Sequence, residues 1–285
     1  AGTYAVRHGV APGRRIVVAT TNDSAYAPAA ALATAGLDVT LLDLRERAPE
    51  AACAAATEAG VAVRPGMAPI RALSGGLSGG VSGLLCGRHR GAGRALPEEK
   101  LAADIVAVSG GWSPALHLTS HARARPLWSD DLLCFLPGEG EVIACGSAAG
   151  VWETEACLTS GRAAGRRAAI ALRVTRRRPL KDAEPGGWET PPLPVWETHA
   201  RGRSDKKFVD LMHDVTAADI RQAKAEGFEA PEHMKRYTTL GMATDQGKAG
   251  GVAGLAIMAE ALGEAGPGAL GTTTFRPPYA PVSMG

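Results

Sequence analysis

The chain has 285 residues, a formal charge of +2, 45% hydrophobic residues and only 5% aromatic residues. This hydrophobic content excludes a disordered chain, and the length allows one large domain or two smaller ones. The nearly balanced charge gives no long-range attraction to nucleic acid or to an anionic membrane surface, so neither partner is predicted. No apolar run approaches the roughly 20 residues that a membrane-spanning helix needs.

The cysteines are scattered along the chain and form no C-x-x-C pair. They are Cys53, Cys86, Cys134, Cys145 and Cys157. None has a histidine at metal-ligand spacing, so the sequence predicts no metal site. An odd, unclustered count indicates reduced thiols in a cytoplasmic protein, since disulfides persist in oxidising compartments.

Alternating strand-type and helix-type segments occupy the N-terminal part of the chain. Runs rich in Val and Ile alternate with Ala-rich stretches closed by glycine, which predicts a parallel sheet with helices on its faces. Gly-Gly pairs interrupt residues 70–90, which predicts a Gly-rich antiparallel insertion in this Rossmann-like α/β fold. The predicted strands are 15–20, 38–43, 61–66, 104–109 and 141–145, and the predicted helices are 25–35, 49–59 and 154–174.

The composition changes in the C-terminal part of the chain. Residues 176–205 are rich in proline, which favours an extended linker over a helix or strand. Residues 206–285 are predicted to form a small all-helical module. The module opens at residues 207–209, and a capped helix follows Thr216, with Asp219 at the third helical position in the pattern of a capping box. Further helices are predicted at 232–237 and 254–262.

The turn after the first predicted strand stands where a Rossmann unit carries its glycines, but it has none. Glycines let the backbone approach a pyrophosphate, whereas Asp23 would place a negative charge beside any phosphate. Asp43 follows about 20 residues later, where an acidic residue usually binds a ribose hydroxyl. Two interpretations stay open: a dinucleotide site, or a Rossmann-like half that kept its fold and lost its ligand. The chemistry of the turn favours the second.

Two other turns contain small residues that suit a cofactor. Gly110 and Gly111 follow the strand at 104–109, where a Gly pair permits close approach of a ligand or of another backbone. Gly146 and Ser147 begin a turn that leads toward a helix, and free N–H groups at a helix start suit a phosphate. We predict cofactor contacts at both turns.

The densest polar stretch is RYTTLGMATDQGK at residues 236–248. An arginine can clamp a phosphate with two hydrogen bonds, a lysine adds a point charge, and hydroxyl and amide groups orient the ligand. The alternative is a capped loop that holds two helices at a fixed angle. The candidate cofactor contacts in this loop are Arg236, Thr238, Thr239, Gln246 and Lys248.

No residue pattern predicts a catalytic group. None of the histidines adjoins a nucleophile motif, and no triad emerges. His117 and His121 share a helical face at i, i+4 spacing, but the sequence places no acidic or sulfur ligand near them. We therefore interpret this pair as packing or surface residues and predict neither a catalytic nor a metal-binding residue.

Several motifs occur together in one order. They are TNDSAY, SGGWSPALHL, KKFVDLMHDVTAADI, KRYTTLGMATDQGK, GLAIMAEALG and TTFRPPYAPV, and they span nearly the whole chain. Each motif is only modestly specific, but the ordered set is highly specific. By these motifs the chain resembles the alpha subunits of heterotetrameric sarcosine oxidases.

The resemblance implies a domain organisation. Residues 1–175 would be an FAD/NAD(P)-binding domain like that of pyridine-nucleotide-disulfide reductases, incomplete at its N-terminus, and residues 176–205 a linker. Residues 206–285 would be a helical interface module that resembles a ferredoxin-associated cluster domain and leads toward a missing aminomethyltransferase-like domain. No cysteine lies between residues 161 and 285, so thiolates would hold no iron–sulfur cluster there.

The resemblance also implies an activity, cofactors and partners. The enzyme would demethylate sarcosine to glycine, reduce oxygen to hydrogen peroxide and use tetrahydrofolate as the one-carbon acceptor. FAD would lie in the beta subunit and FMN at the alpha–beta interface, which the loop at 236–248 would face. Gamma and delta subunits would complete the complex. The alpha subunit would also carry NAD, although the missing first nucleotide fingerprint argues against NAD binding by this fragment.

A second interpretation belongs to a different functional class. In it the chain is a cofactor-free scaffold that docks the flavin subunit of a related secondary-amine dehydrogenase. A free-standing NAD(P)H-dependent reductase is a third interpretation, but it needs an intact fingerprint that the turn TTNDSAY does not supply.

Overall fold

A computed structural model describes residues 2–75, 79–200 and 206–275, and it divides into two compact units. The first unit comprises residues 1–111 and 188–205, and the second comprises 112–187 and 206–285. The units change after residues 111, 187 and 205, whereas the predicted domains end at residues 175 and 205. A compact unit can combine segments of different sequence domains, so those boundaries stay a prediction.

The first unit is built on a parallel sheet, as predicted. Its strands are β1 (Arg15–Thr20), β2 (Asp38–Asp43) and β3 (Ala62–Pro65), with β7 (Ile105–Ser109) on the far side of β1. Their order is β3-β2-β1-β7, and every neighbouring pair is parallel. The register pairs Thr20 with both Asp43 and Ser109. The carboxyl ends of these strands therefore meet at one edge of the sheet.

A predicted antiparallel insertion separates β3 from β7. It consists of β4 (Met67–Ser74), β5 (Val81–His89) and β6 (Ala95–Ala102), with β5 in the middle. The last of these strands was not predicted, because ALPEEKLA is mostly exposed and lacks the usual apolar alternation. Gly87 of β5 lies directly against the Leu96 carbonyl oxygen, and any Cβ there would collide with it. The close approach of these two strands therefore requires glycine.

The two faces of the parallel sheet are covered differently. The helices of this unit are α1 (Gly2–His8), α2 (Tyr26–Thr34) and α3 (Glu50–Glu58). One sheet face packs Ile16, Val18 and Leu41 against Tyr26 and Leu32 of α2. The opposite face packs Val17 and Leu42 against Met67, Leu84 and Cys86 of the antiparallel insertion. Helices were expected on both faces, but within the described residues of this unit the insertion takes the second face.

The second unit is mainly helical with short hairpins. Its elements are α4 (His117–His121), β8 (Leu127–Ser129), β9 (Cys134–Leu136), α5 (Thr154–Ala171), β10 (Phe208–Asp210), β11 (Val215–Thr216), α6 (Ala217–Ala225), α7 (Pro231–Thr238), α8 (Gly251–Leu262) and α9 (Pro267–Leu270). The strand pairs β8–β9 and β10–β11 are antiparallel. The predicted helices of this region are confirmed, and the two hairpins are additions.

The predicted strand at residues 141–145 is wrong. These residues form a bend and an irregular segment, and Val142 and Ile143 are 42% and 41% exposed. A strand needs a neighbour for its backbone N–H and C=O groups. Within the described residues, no strand lies beside this segment and pairs with it. Its apolar, β-branched composition is therefore not sufficient to form a strand.

Thr216 forms the predicted capping box at the start of α6. Its Oγ1 accepts a hydrogen bond from the Asp219 N–H at 3.3 Å, and the Asp219 carboxylate accepts one from the Thr216 N–H at 2.8 Å. Removing an N-cap side chain costs about 1 kcal/mol. We expect Thr216→Ala to lower the local stability of α6 by that amount in hydrogen exchange, and the exposed Thr244→Ala to leave it unchanged.

Candidate functional site

In the first unit, the polar side chains at the carboxyl edge of the sheet form hydrogen bonds with one another and with the backbone of β7. Asn22 is fully buried, and its side-chain N–H donates to the Ser109 carbonyl at 3.2 Å. Its Oδ1 accepts from the Ser24 N–H at 3.0 Å, while the Ser24 and Ser109 hydroxyls lie 3.0 Å apart. Thr20 Oγ1 lies 3.1 Å from the Ser109 carbonyl. These side chains hold the turn in place where a nucleotide-binding turn has glycines.

Asp43 lies at the same edge and is fully buried. Its carboxylate accepts hydrogen bonds from Tyr26 Oη at 2.8 Å and from Arg45 Nη2 at 2.7 Å. Burial, followed by the neighbouring Asp43 carboxylate, raises the pKa of Tyr26 above its usual value. A ribose hydroxyl would have to displace these partners to reach Asp43. Cofactor binding by Asp43 therefore stays a prediction, whereas the structure shows that Asp43 forms an ion pair with Arg45.

Gly110 and Gly111 follow β7 at this edge and are exposed. Gly111 has a φ of 115°, a backbone conformation that favours glycine. The nearest atom to a Cβ built there would be Asn22 Nδ2 at 3.8 Å. Gly111 therefore lets the chain leave the sheet beside the polar turn, and contact of either glycine with a cofactor stays a prediction.

The turn at Gly146 and Ser147 differs from expectation. Residues Gly146–Ala149 form one turn of 3₁₀-helix, and the Gly146 N–H donates to Ser160 Oγ at 3.2 Å. The following α5 begins only at Thr154, after Glu153 and with Glu155 in its first turn. The turn therefore does not run directly into a helix, and carboxylates stand where that helix starts. Ser147 is exposed, and cofactor contact by either turn residue stays a prediction.

In the second unit, the loop at residues 236–248 begins by capping α7. Thr238 Oγ1 donates to the Met234 carbonyl at 2.8 Å and accepts from the Leu240 N–H at 3.2 Å. Thr239 ends the helix with a φ of 64°, and its carbonyl oxygen lies 3.2 Å from His213 Nδ1. Both threonines therefore shape the loop, as the capped-loop interpretation expects.

Asp210 anchors the middle of this loop. Its buried carboxylate accepts hydrogen bonds from the N–H groups of Gly241 at 2.9 Å, Met212 at 2.8 Å and His213 at 3.3 Å. Burial alone would raise the pKa of Asp210, but these three donors outweigh it and hold the pKa below its usual value. Gly241 has a φ of 66°, and a Cβ there would come 2.9 Å from the Gly247 Cα. The turn therefore needs glycine at 241.

A cavity of about 140 Å³ lies beside the loop. Its apolar wall includes Leu116, Phe135, Val252, Leu255 and Phe275. Lys235, Gln246 and Lys248 line it as well and supply charge and hydrogen-bonding groups. A cavity with apolar walls and a few convergent polar groups is the usual form of a ligand site.

A second and more polar cavity of about 460 Å³ shares six residues with the first. Arg236 lines this second cavity, and its guanidinium lies 3.6 Å from the Glu232 carboxylate. Gln246 lines both cavities. The structure thus brings Arg236, Gln246 and Lys248 around two adjoining cavities, whereas Thr238 and Thr239 are not among the lining residues.

His117 and Lys235 are additional lining residues that the sequence interpretation missed. His117 is buried, and its ring centroid lies 4.6 Å from that of Phe275. Burial, followed by Lys248 and His121, lowers the pKa of His117. This shift favours the neutral form of the imidazole. The motif SGGWSPALHL contains His117, but its distance along the chain from the loop gave no indication that the two are neighbours.

The described residues hold neither a group of potential metal ligands nor a membrane-spanning helix. Across residues 2–75, 79–200 and 206–275, no three His, Cys, Asp or Glu side chains gather closely enough to hold a metal ion. The helices within these same ranges are all too short or too polar to cross a bilayer.

Comparisons with known proteins agree with the motifs. The sarcosine oxidase A3 domain family matches residues 204–285. The sarcosine oxidase alpha subunit of Corynebacterium sp. strain P-1 is 37% identical over 292 residues, which is 99% of this chain. The corresponding subunit of Rhizobium meliloti strain 1021 is 39% identical over 297 residues, again 99% of this chain. The chain is homologous to sarcosine oxidase alpha subunits.

The chain matches only part of each relative, because the relatives are much longer. The chain spans 30% of the corynebacterial sarcosine oxidase subunit and 27% of the rhizobial one. The A3 match contains Asp210, α6 to α8 and the loop at 236–248, so the cavity loop belongs to that domain. His117 lies outside the A3 match but within the homology to the whole subunit.

The fold has a solved counterpart. The crystal structure of L-proline dehydrogenase from P. horikoshii matches 99% of this chain and 51% of its own chain, with a TM-score of 0.68 and 15% identity. At this identity the likeness concerns the fold alone. It supports the mixed α/β architecture that the sequence predicts.

Proposed function

We propose that the chain works as part of the alpha subunit of a flavin-dependent, cytoplasmic sarcosine oxidase. In this proposal the complex demethylates sarcosine to glycine, reduces oxygen to hydrogen peroxide and passes the one-carbon unit to tetrahydrofolate. Beta, gamma and delta subunits complete it, and FAD lies in the beta subunit. The observation that carries the proposal is the cavity beside residues 236–248, which lies in a chain homologous to sarcosine oxidase alpha subunits.

The chemistry of the cavity suits FMN at a subunit interface. Apolar and aromatic side chains suit a planar ring system, and Lys235, Arg236 and Lys248 suit a phosphate. When bound, FMN supplies the electron-transfer chemistry. The role of this chain is to bind: the positively charged lysines attract the phosphate, the Gln246 amide adds hydrogen-bonding groups, and His117, whose pKa is lowered by burial, contributes part of the cavity wall. No NAD site is proposed within these residues.

The proposal is tested by flavin content. We would co-express the full-length alpha subunit with its partner subunits, purify the complex and dialyse it against graded concentrations of FMN. The retained FMN is then released by denaturation, separated from FAD by chromatography and measured by absorbance. Loss of one charge-assisted contact weakens binding about tenfold, so we expect Lys248→Met and Lys235→Met each to lower FMN affinity by that factor. The exposed Lys224→Met, on α6 of the same unit, is the matched control and should retain full flavin.

The scaffold interpretation predicts a different outcome. If the chain only docks a flavin subunit, both cavity variants keep their FMN and the complex assembles normally. Unchanged FMN affinity in both lysine variants would contradict the proposed phosphate contacts. At the sheet edge of the first unit, the contacts support a cofactor-free role, because Tyr26 and Arg45 already donate hydrogen bonds to Asp43.

A further inference from the structure

A Pro-rich segment crosses the carboxyl edge of the parallel sheet in the first unit. We call residues 188–200 the strap. The Leu193 N–H donates to the Thr21 carbonyl at 2.8 Å, directly after β1. The N–H groups of Glu189 and Thr190 donate to one carboxylate oxygen of Asp23 at 2.6 and 3.1 Å. The strap therefore begins on the turn where a Rossmann unit places its pyrophosphate.

Further contacts hold the same part of the strap to the ends of β2 and α3. Arg45 Nη1 donates to the Thr190 carbonyl at 3.0 Å and to Asp23 Oδ1 at 2.7 Å. The Glu189 carboxylate accepts from the Ala51 N–H at 3.3 Å, in the first turn of α3. An anion at a helix start is stabilised by the free N–H groups there. Here the strap supplies that anion itself.

The rest of the strap is fixed to the antiparallel insertion. Leu193 and Val195 pack against a buried cluster that includes Leu44 and Ala68. Thr198 Oγ1 donates to the Pro69 carbonyl at 2.6 Å. The Ala95 N–H donates to the His199 carbonyl at 2.8 Å, and the His199 N–H donates to the Gly93 carbonyl at 2.9 Å. The strap is thus attached at both ends and along its middle.

In open parallel sheets with helices, dinucleotides bind outside the carboxyl ends of the strands. We infer that the strap occupies this position, excludes dinucleotides such as NAD from it, and is locked there by Asp23. The Asp23 carboxylate would repel a pyrophosphate, and instead it accepts two N–H groups of the strap. This inference concerns the first unit alone and is independent of the proposed flavin cavity.

Hydrogen exchange on the full 285-residue chain tests the lock. Asp23→Ala removes the acceptor of two strap N–H groups, so exchange at Glu189 and Thr190 should accelerate at least about tenfold. Amides of β5 report on the fold and should be unchanged. Asp38→Ala, an exposed aspartate in the same unit, is the matched control and should leave the strap protected. If Asp23→Ala disturbs β5, Asp23→Asn keeps the side-chain shape and should accelerate the same two amides to a smaller extent.

Titration with NAD tests the exclusion. Calorimetry on the wild-type chain should show no saturable NAD binding below the millimolar range. Saturable binding that also protects the amides of residues 20–24 would overturn the inference. Unchanged exchange at Glu189 and Thr190 in both Asp23 variants would overturn the role of Asp23 as the lock.

Discussion

Replacing Arg45 with methionine is expected to destabilise the first unit by about 3–5 kcal/mol, the usual cost of breaking a buried ion pair. Arg45 is 5% exposed and bridges Asp23 and Asp43, of which Asp43 has no exposed surface. Without the guanidinium, two carboxylates lie close together and one of them is buried without its cation. Hydrogen exchange of the β1 and β2 amides measures this loss for the first unit separately.

Three comparison variants make the Arg45 result specific. Arg45→Lys keeps the charge but not the planar fork that binds Asp43 through two nitrogens, so an intermediate loss is expected. Adding Asp43→Asn to Arg45→Met removes the uncompensated charge and should recover part of the stability. Arg88→Met breaks an exposed pair with Glu98 at 3.9 Å and should cost less than about 1 kcal/mol. Equal losses in Arg88→Met and Arg45→Met would contradict the buried-pair explanation.

Replacing Asp210 with alanine is expected to lower the stability of the second unit by about 2–4 kcal/mol, because backbone donors lose their acceptor. Asp210 is 5% exposed, and the Gly241 N–H that it binds is buried. The same change should loosen the cavity loop, since this contact ties the loop to the end of β10. Hydrogen exchange at Gly241 and urea denaturation measure the two effects. The exposed Asp131→Ala is the matched control in this unit.

The contribution of Asp210 should depend on pH in a defined direction. Its folded-state pKa lies below the usual value, so the charged form is the one that the fold stabilises. The stabilisation is complete above the unfolded-state pKa of about 3.9 and is lost as the pH falls through the folded-state pKa. Wild type and Asp210→Ala should therefore differ by a constant amount near neutral pH and converge under strong acid. A difference that grows on acidification would contradict this assignment.

Local sequence determined the elements that depend on neighbouring residues. The Val- and Ile-rich run at β1 matches the predicted strand at both ends, and Thr216 with Asp219 forms the predicted capping box. The capping box rests on contacts within a few residues, because a side chain satisfies a free N–H at the helix start. The strand is indicated by the β-branched residues of the run itself, although its pairing with β2 and β7 is set by the sheet. The order of these elements also predicted the parallel sheet, because short β-α-β units leave few other topologies.

Only the tertiary structure decided which residues form the sites. The strand predicted at 141–145 failed, since pairing depends on a neighbouring strand that the segment itself does not specify. His117 and Lys235 are far apart in the sequence and line one cavity. The loop at 236–248 was identified by its composition. The sequence did not show that its threonines cap α7 while its cations line the cavities, because these roles depend on where α7 ends and on the contact between Asp210 and Gly241.

The Rossmann-like half shows most clearly which features depend on local sequence and which depend on the tertiary structure. The sequence by itself determined that its turn lacks glycines and carries Asp23, which is poor chemistry for a pyrophosphate. It gave no indication of what replaces the ligand, because the strap comes from residues more than 160 positions away in the chain. Hydrogen bonds between such distant segments form only when the whole unit folds, and their partners are therefore set by the tertiary structure.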